Sequence, residues 1–155
     1  MSSKTEIRIR NYVWKSSYIV KGHYEFEILV ILFHEKTSQL SEKLYYRRFS
    51  EFEWLHSVLI ESNPGCRIPT LPEKTIWTNL GVNNDSFLDR RKKDLETYLN
   101  YINRHKYLCR NAYFQEFLSD NFDKYRKAEI QNNKKISLME IVTTIKNQIP
   151  MLKTA

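Results

Sequence analysis

Long apolar runs, glycine and cysteine are all scarce in this sequence of 155 residues. The longest unbroken apolar run covers residues 28–33, whereas a membrane-spanning helix needs roughly 20 such residues. No charged start followed by an apolar secretory segment opens the chain. The 3 glycines and 4 prolines exclude a low-complexity or collagen-like chain. The sequence therefore predicts a soluble protein with room for about one large domain.

Residues suited to metal binding or catalysis are also few and scattered. Cys66 and Cys109 are too few for a disulfide framework and too isolated for a zinc site, which predicts a reducing compartment. The sequence has no glycine loop for phosphate and no nucleophile motif. No metal-ligand spacing relates the four histidines, which are His23, His34, His56 and His105. We therefore expect no metal, no cofactor and no enzymatic activity.

Positive charge is in excess and unevenly distributed. The net charge is +7, and the surplus lies in residues 86–110 and 120–155. A basic stretch on a helix is often only a solvated face, but an excess of this kind also favours acidic partners.

The N-terminal third has the pattern of β-strands. Apolar and polar residues alternate in 7–14 and 24–33 and return in 44–49, with a polar stretch at 34–43 that predicts a loop. These segments predict a small antiparallel meander of three strands.

Helical spacing begins after the third strand. Ser50 with Glu53 has the pattern of a capping box and Phe49 with Trp54 that of its hydrophobic staple, so a helix is predicted to begin at Ser50 and to end at residues 63–65. Further helices are predicted at 86–104, near 112–118 and from 137 onward. The helix at 86–104 has an apolar stripe of Leu88, Leu95, Tyr98, Leu99 and Ile102. Strands followed by helices indicate an α+β domain.

Basic residues at three places in the chain stand out against this framework. Arg91 falls close to the centre of the apolar stripe of its helix, so we expect it to face inward, either in a buried ion pair or in a binding cleft. Arg47 and Arg48 stand where a strand passes into a helix, and Lys74 directly follows the stiff segment 69–72. Together they predict a cationic pocket for a phosphorylated ligand.

An apolar segment follows Lys74 where a polar loop is expected. It contains Ile76, Trp77, Leu80 and Val82. These side chains either fold back onto the core as a lid or insert into a bilayer, where tryptophan favours the interface. An apolar loop beside a basic pocket is typical of a membrane-binding surface.

Three segments of the chain together resemble the phox-homology (PX) domain of the sorting nexins, namely residues 46–55, 69–74 and 87–102. The runs are YRRFSEFEWL, PTLPEK and FLDRRK followed by the stripe from Leu95 to Ile102, in the order and spacing of that family. The resemblance extends from about residue 5 to residue 120. It implies a PX-like domain at 1–121, in which a three-stranded antiparallel sheet packs against a helical subdomain, and a helical extension at 122–155.

The resemblance also implies a function and a binding site. The implied function is binding of phosphatidylinositol 3-phosphate, which would recruit a cytoplasmic protein peripherally to endosomal membranes for cargo trafficking. Arg48 matches the arginine that holds the 3-phosphate, and Phe49 the aromatic against the inositol ring. Lys74 matches the base at the 1-phosphate, and Arg91 the arginine at the 4- and 5-hydroxyls. Glu73 departs mildly from the family pattern.

Two other functions are open to the sequence. One is a protein-interaction domain with a degenerate lipid pocket, acting through the proline segment 69–72 or the helical tail. The other is nucleic-acid binding, which is disfavoured because the aromatics form no stacking platform and the basic residues form no long stripe. The partners we expect are a phosphoinositide-containing membrane and cargo or trafficking proteins.

Overall fold

A computed structural model describes residues 3–19, 22–73 and 85–148 of the chain. The chain divides into two compact units, Met1–Leu118 and Ser119–Ala155. The elements of the first unit are β1 (Ser3–Lys15), β2 (His23–His34), β3 (Gln39–Arg48), α1 (Phe49–Ser62), α2 (Asp85–Arg104), a short 3-10 helix (Leu108–Arg110) and α3 (Ala112–Phe117). The second unit holds α4 (Phe122–Gln148). In the described ranges, no helix combines the length and the apolar character needed to cross a bilayer.

The three strands form one antiparallel sheet in the order β1-β2-β3, which confirms the predicted meander and the α+β class. Ile28 lies at the centre of the sheet, opposite Ile9 on β1 and Tyr45 on β3. All three side chains are buried. This apolar row fixes the register, because a slip of one residue would turn every buried side chain toward solvent.

The loop predicted at residues 34–43 is wrong. The turn covers only 35–38, with Ser38 in the left-handed conformation (φ 51°), and β3 begins at Gln39. The polar residues after the turn belong to the strand because β3 lies at an edge of the sheet and is exposed from Gln39 to Leu44. Exposed edge strands carry polar and charged residues that resemble a loop in the sequence.

The opposite edge of the sheet is covered by the polar face of α2. Four α2 side chains at helical spacing form hydrogen bonds with the backbone of β1, at distances of 2.7 to 3.4 Å. They are Lys92, Glu96, Asn100 and Asn103, which bond to Arg10, Ile9, Ile7 and Thr5, respectively. These side chains satisfy backbone groups that would otherwise lack a neighbouring strand.

The apolar face of α2 enters the core, and all five residues of its predicted stripe are buried. From α1, Phe52, Leu55 and Leu59 enter the same core. The Phe52 ring makes edge-to-face contacts with Phe26, at 6.2 Å between centroids, and with Phe117, at 5.0 Å. Burying each of these side chains contributes about 1.5–3 kcal/mol, so this contact between sheet and helices fixes the position of α1.

The predicted start of α1 is wrong by one residue, and the predicted capping box lies in the wrong place. The helix begins at Phe49 with Arg48 as its N-cap, and the Glu51 carboxylate accepts the Arg48 backbone N–H at 2.8 Å. The sequence pattern points to Ser50 because serine is a usual N-cap residue, whereas arginine is not. Here the Glu51 carboxylate caps the Arg48 N–H, but the N-cap residue has no side-chain hydroxyl to cap the helix in return. The predicted end is confirmed, since the Asn63 N–H caps the Leu59 carbonyl at 3.1 Å.

In the second unit, α4 begins at Phe122, well before the segment at 137 where helical spacing becomes visible in the sequence. Its first half is rich in charged and amide side chains and lacks an apolar stripe, so no helical periodicity marks this part of the sequence.

Replacing Asn100 tests the contact between α2 and β1. Its side chain bonds both the N–H and the C=O of Ile7, at 3.2 and 2.7 Å. We expect Asn100→Ala to lower the free energy of unfolding by about 1–3 kcal/mol, because two part-buried backbone groups lose their partners. Thr97→Ala on the exposed face of the same helix is the control and should change it by less than about 0.5 kcal/mol. Urea denaturation measures both, and equal effects would contradict a clamping role.

Candidate functional site

Arg48 stands at the junction of sheet and helix. It is the last residue of β3 and the N-cap of α1, and its side chain is half-buried. The residue opposite it on β2 is Glu25, whose carboxylate contacts Lys15 at 3.4 Å and His23 at 3.1 Å. A cation at this position lies beside the backbone N–H groups of a helix N-terminus, which themselves favour an anion.

Arg47, the neighbour of Arg48, has a different role. It is only 7% exposed, and its Nε donates to the Phe117 carbonyl at 2.9 Å. Its Nη1 donates to the Tyr46 carbonyl at 2.7 Å, and the guanidinium lies 5.6 Å from the ring centroids of Tyr45 and Phe117. Arg47 therefore ties β3 to the end of α3. The sequence pattern could not separate the two arginines, whereas the alternation of the strand places them on opposite faces.

The prediction that Arg91 faces inward is confirmed. The residue is 2% exposed, and its guanidinium carbon lies 4.1 Å from the ring centroid of Phe49 and 4.9 Å from that of Phe87. Burial lowers the pKa of Arg91, and the nearby carboxylates of Glu53 and Asp94 partly offset that effect. Since the pKa of arginine normally lies far above neutral pH, the side chain keeps its charge at neutral pH.

Arg91 also holds the proline segment. Its Nη2 donates a hydrogen bond to the Glu73 carbonyl, at the end of the described part of that segment. At the other end, the Tyr101 hydroxyl donates to the Arg67 carbonyl at 3.2 Å. The path of residues 67–73 is therefore fixed by α2 at both ends.

The remaining predicted site residues lie outside the described residues. Lys74 directly follows Glu73, and the predicted membrane loop comes next in the sequence. That loop is formed by Ile76, Trp77, Leu80 and Val82, and these positions stay predictions.

The structure thus brings three of the four predicted headgroup residues into one cluster. Arg48 directly precedes Phe49 in the chain, and the Phe49 ring stacks on the Arg91 guanidinium. Sequence reasoning missed Phe87, although it lies one helical turn before Arg91, a spacing at which side chains meet. It also missed the Glu73 carbonyl, because no sequence pattern marks a backbone acceptor. A buried cation stacked on an aromatic ring, with a second cation at the adjacent helix N-terminus, can hold an anionic group attached to a flat, apolar face.

Three comparisons with known proteins agree with this fold. The sequence profile of the PX domain matches residues 35–121. The chain is 40% identical over 87 residues to human sorting nexin-4, covering 53% of this chain and 19% of that protein. It is 31% identical over 106 residues to the vacuolar protein sorting-associated protein vps5 of Schizosaccharomyces pombe, covering 68% of this chain and 18% of that protein.

Among solved structures, a designed CISK-PX domain matches with a TM-score of 0.59 and 28% identity, over 74% of this chain and 98% of that one. The chain belongs to the PX domain family, and its matched relatives include sorting nexins, as the sequence runs predicted. It spans about a fifth of the length of the curated relatives that it matches.

Stability measurements should separate the two neighbouring arginines. We expect Arg47→Ala to lower the free energy of unfolding by about 2–4 kcal/mol, because a buried cation and its hydrogen bonds to two carbonyls are lost. Arg48→Ala should change it by less than about 1 kcal/mol. Chemical denaturation of both variants measures the difference. A larger loss of stability for Arg48→Ala than for Arg47→Ala would show that Arg48, and not Arg47, has the structural role.

Proposed function

We propose that the first unit binds the headgroup of a phosphoinositide, preferentially phosphatidylinositol 3-phosphate, and recruits the protein to endosomal membranes. The observation that carries this proposal is the stack of the buried Arg91 guanidinium on Phe49, directly beside Arg48 and at the start of α1. The match to the PX domain family supports it.

The 3-phosphate is assigned to Arg48. A monoester phosphate carries a charge of about −1.5 to −2 at neutral pH, and a guanidinium can meet it with two parallel hydrogen bonds. The first N–H groups of α1 lie beside Arg48 and add a favourable dipole. Within the described residues, the Arg48 guanidinium forms no ion pair that the phosphate would have to displace.

The inositol ring is assigned to Phe49 and Arg91. The C–H face of the inositol can lie on the open part of the Phe49 ring, while Arg91 donates to the 4- and 5-hydroxyls. Glu53 and Asp94 lie close enough to influence the charge of Arg91 electrostatically. These carboxylates would repel a further phosphate at position 4 or 5, which gives a physical reason for preferring a headgroup with a single phosphate at position 3.

Lys74 and the segment after it complete the proposed membrane site. Because Arg91 holds the Glu73 carbonyl, the residue before Lys74 is fixed next to the cluster, and Lys74 is assigned to the 1-phosphate. Ile76, Trp77, Leu80 and Val82 are assigned to the bilayer interface. Headgroup binding and shallow insertion together supply the two signals that stable peripheral attachment requires.

A role in protein transport follows from the names of the relatives, which are sorting nexins and a vacuolar sorting protein. We infer that this protein recruits cargo or other trafficking proteins and acts without enzymatic activity. The alternative is partner binding through the proline segment 69–72 or the helical tail. For the proline segment it is disfavoured, because α2 already holds both ends of that segment by the carbonyls of Arg67 and Glu73.

Vesicle sedimentation tests the headgroup assignment. Vesicles of matched charge should contain phosphatidylinositol 3-phosphate, phosphatidylinositol 4-phosphate, phosphatidylinositol 4,5-bisphosphate or phosphatidylserine alone. We expect the tightest binding to the first. Arg48→Ala should weaken that binding by about 30-fold or more, because a hydrogen-bonded charge pair of about 2 kcal/mol is lost.

Arg104→Ala is the matched control, since it removes the same charge from an exposed position at the last residue of α2. It should reduce binding to all acidic vesicles by less than about threefold. Equal binding to every acidic lipid, or equal losses in the two variants, would show that attraction is only electrostatic and would refute the headgroup site.

Replacing Trp77 separates recognition from insertion. We expect Trp77→Ala to shorten the time that the protein stays on vesicles containing phosphatidylinositol 3-phosphate, because an interfacial anchor is lost. Its affinity for soluble inositol 1,3-bisphosphate should stay the same. Surface plasmon resonance and calorimetry measure the two quantities, and a parallel loss of both would place Trp77 in the core instead.

A further inference from the structure

A row of three aromatic rings lies at the C-terminal end of α2, outside the headgroup site. The ring centroids of Tyr101 and His105 are 6.0 Å apart, and those of His105 and Tyr107 are 6.1 Å apart. Tyr101 is 40% exposed and Tyr107 is 62% exposed. Exposed tyrosines are common in protein-binding surfaces, because they offer a large contact area at a small cost in side-chain entropy.

Hydrogen bonds already order this row in the free protein. The His105 Nδ1 accepts the backbone N–H groups of Tyr107 and Leu108, both at 3.3 Å, so the neutral ring carries its proton on Nε2. The Tyr101 hydroxyl donates to the Arg67 carbonyl at 3.2 Å. Side chains that are ordered before binding lose little freedom when a partner binds.

Positive charge surrounds the row. The hydrogen bond from Tyr101 joins the segment 98–115 to the segment 62–72, and neither segment contains an acidic residue. Their arginines and lysine are all exposed, and they are Arg67, Arg104, Lys106 and Arg110. In the ranges that the structure describes, none of these four side chains forms an ion pair. We name the three rings with these four basic residues the α2-end patch.

We propose that the α2-end patch binds an extended acidic segment of a partner protein that carries an aromatic residue. The carboxylates of such a segment complement the four cations, which have no ion pair to give up. An aromatic side chain can join the row, since aromatic rings favour tilted contacts over flat sandwiches. The two gaps between the centroids, 6.0 and 6.1 Å, together match about three to four residues of extended peptide.

RNA suits the patch less well than an acidic peptide does. Successive bases of a single strand stack flat on aromatic faces. Here the planes of neighbouring rings are tilted by 33° between Tyr101 and His105 and by 53° between His105 and Tyr107. The row therefore offers no common plane to a run of bases.

A bilayer is also a poor match for the patch. Attachment at an interface needs apolar side chains that can enter the lipid, but the aliphatic residues of the segment 101–110, Ile102 and Leu108, are both buried in the core. Tyr101 follows Arg91 by 10 residues on α2, which is about 15 Å along the helix axis. A peptide on the patch therefore leaves the headgroup site free.

Fluorescence anisotropy with short labelled peptides tests this proposal on the full chain. The probe consists of three repeats of tyrosine-glutamate-glutamate. One comparison peptide has serine in place of each tyrosine, and the other has glutamine in place of each glutamate. We expect the probe to bind at least about fivefold more tightly than either comparison peptide, because each of them lacks one of the two contacts. Raising the salt concentration should weaken binding of the probe.

Two variants with matched controls locate the contact. Tyr107→Ala should weaken binding of the probe by about fivefold or more, because one ring of the row is lost. Tyr18→Ala removes an exposed tyrosine from the connection between β1 and β2 and should change binding by less than about twofold. Lys106→Glu should weaken binding by about tenfold or more. Lys93→Glu makes the same charge change at an exposed position nearer the start of α2 and should weaken it by less than about threefold.

Four results would overturn the proposal. Equal binding of the three peptides, or equal losses within either pair of variants, would show that the patch makes no specific contact. Tighter binding of a labelled oligouridylate that is lost in Tyr107→Ala would assign the patch to RNA. A loss of vesicle binding in Tyr107→Ala would assign it to the membrane. Since the peptide assay contains no lipid, Arg48→Ala should leave its result unchanged, so the headgroup site and the patch fail or succeed independently.

Discussion

The candidate site depends on one buried cation. Arg91 lies between the rings of Phe49 and Phe87 and donates a hydrogen bond to the Glu73 carbonyl. These contacts join three parts of the chain that are distant in sequence, namely the start of α1, the proline segment and α2. Placing a guanidinium there without partners would cost several kcal/mol. The aromatic faces, the carbonyl and the nearby carboxylates of Glu53 and Asp94 provide the compensation.

Three faces of α2, the helix that carries Arg91, contact three different parts of the unit. Its apolar stripe enters the core, its polar face hydrogen-bonds the edge of β1, and Arg91 reaches the start of α1. The sheet therefore holds α2 in place along β1, and α2 in turn positions Arg91 relative to β3 and α1. A change in the packing of β1 is transmitted to the site through this helix, although β1 contributes no predicted site residue.

The sequence predicts those parts of the structure whose apolar residues recur at regular spacing, and it fails where no such spacing exists. The apolar stripe of α2 and the inward position of Arg91 follow from helical spacing, and both are confirmed. The start of α1 and the extent of β3 were predicted wrongly, since an N-cap without a hydroxyl and a polar edge strand lack the usual patterns. The distinct roles of Arg47 and Arg48 required three-dimensional contacts, because adjacent residues of the same type differ only in the face on which they lie.

Positive charge is distributed unevenly along the chain. On the sheet, basic side chains are matched by acids, as in the pairs Arg8–Glu6, Arg10–Glu27 and Lys15–Glu25, at 2.8 to 3.4 Å. The surplus behind the net charge of +7 lies instead in residues 86–110 and 120–155, which contain most of α2 and α4. Arg91 of the proposed headgroup site lies in the first of these ranges, where it is buried and stacks on Phe49. In the proposed function, unpaired basic residues supply general attraction to an anionic surface, and the contact of Arg91 with the inositol hydroxyls separates one headgroup from general negative charge.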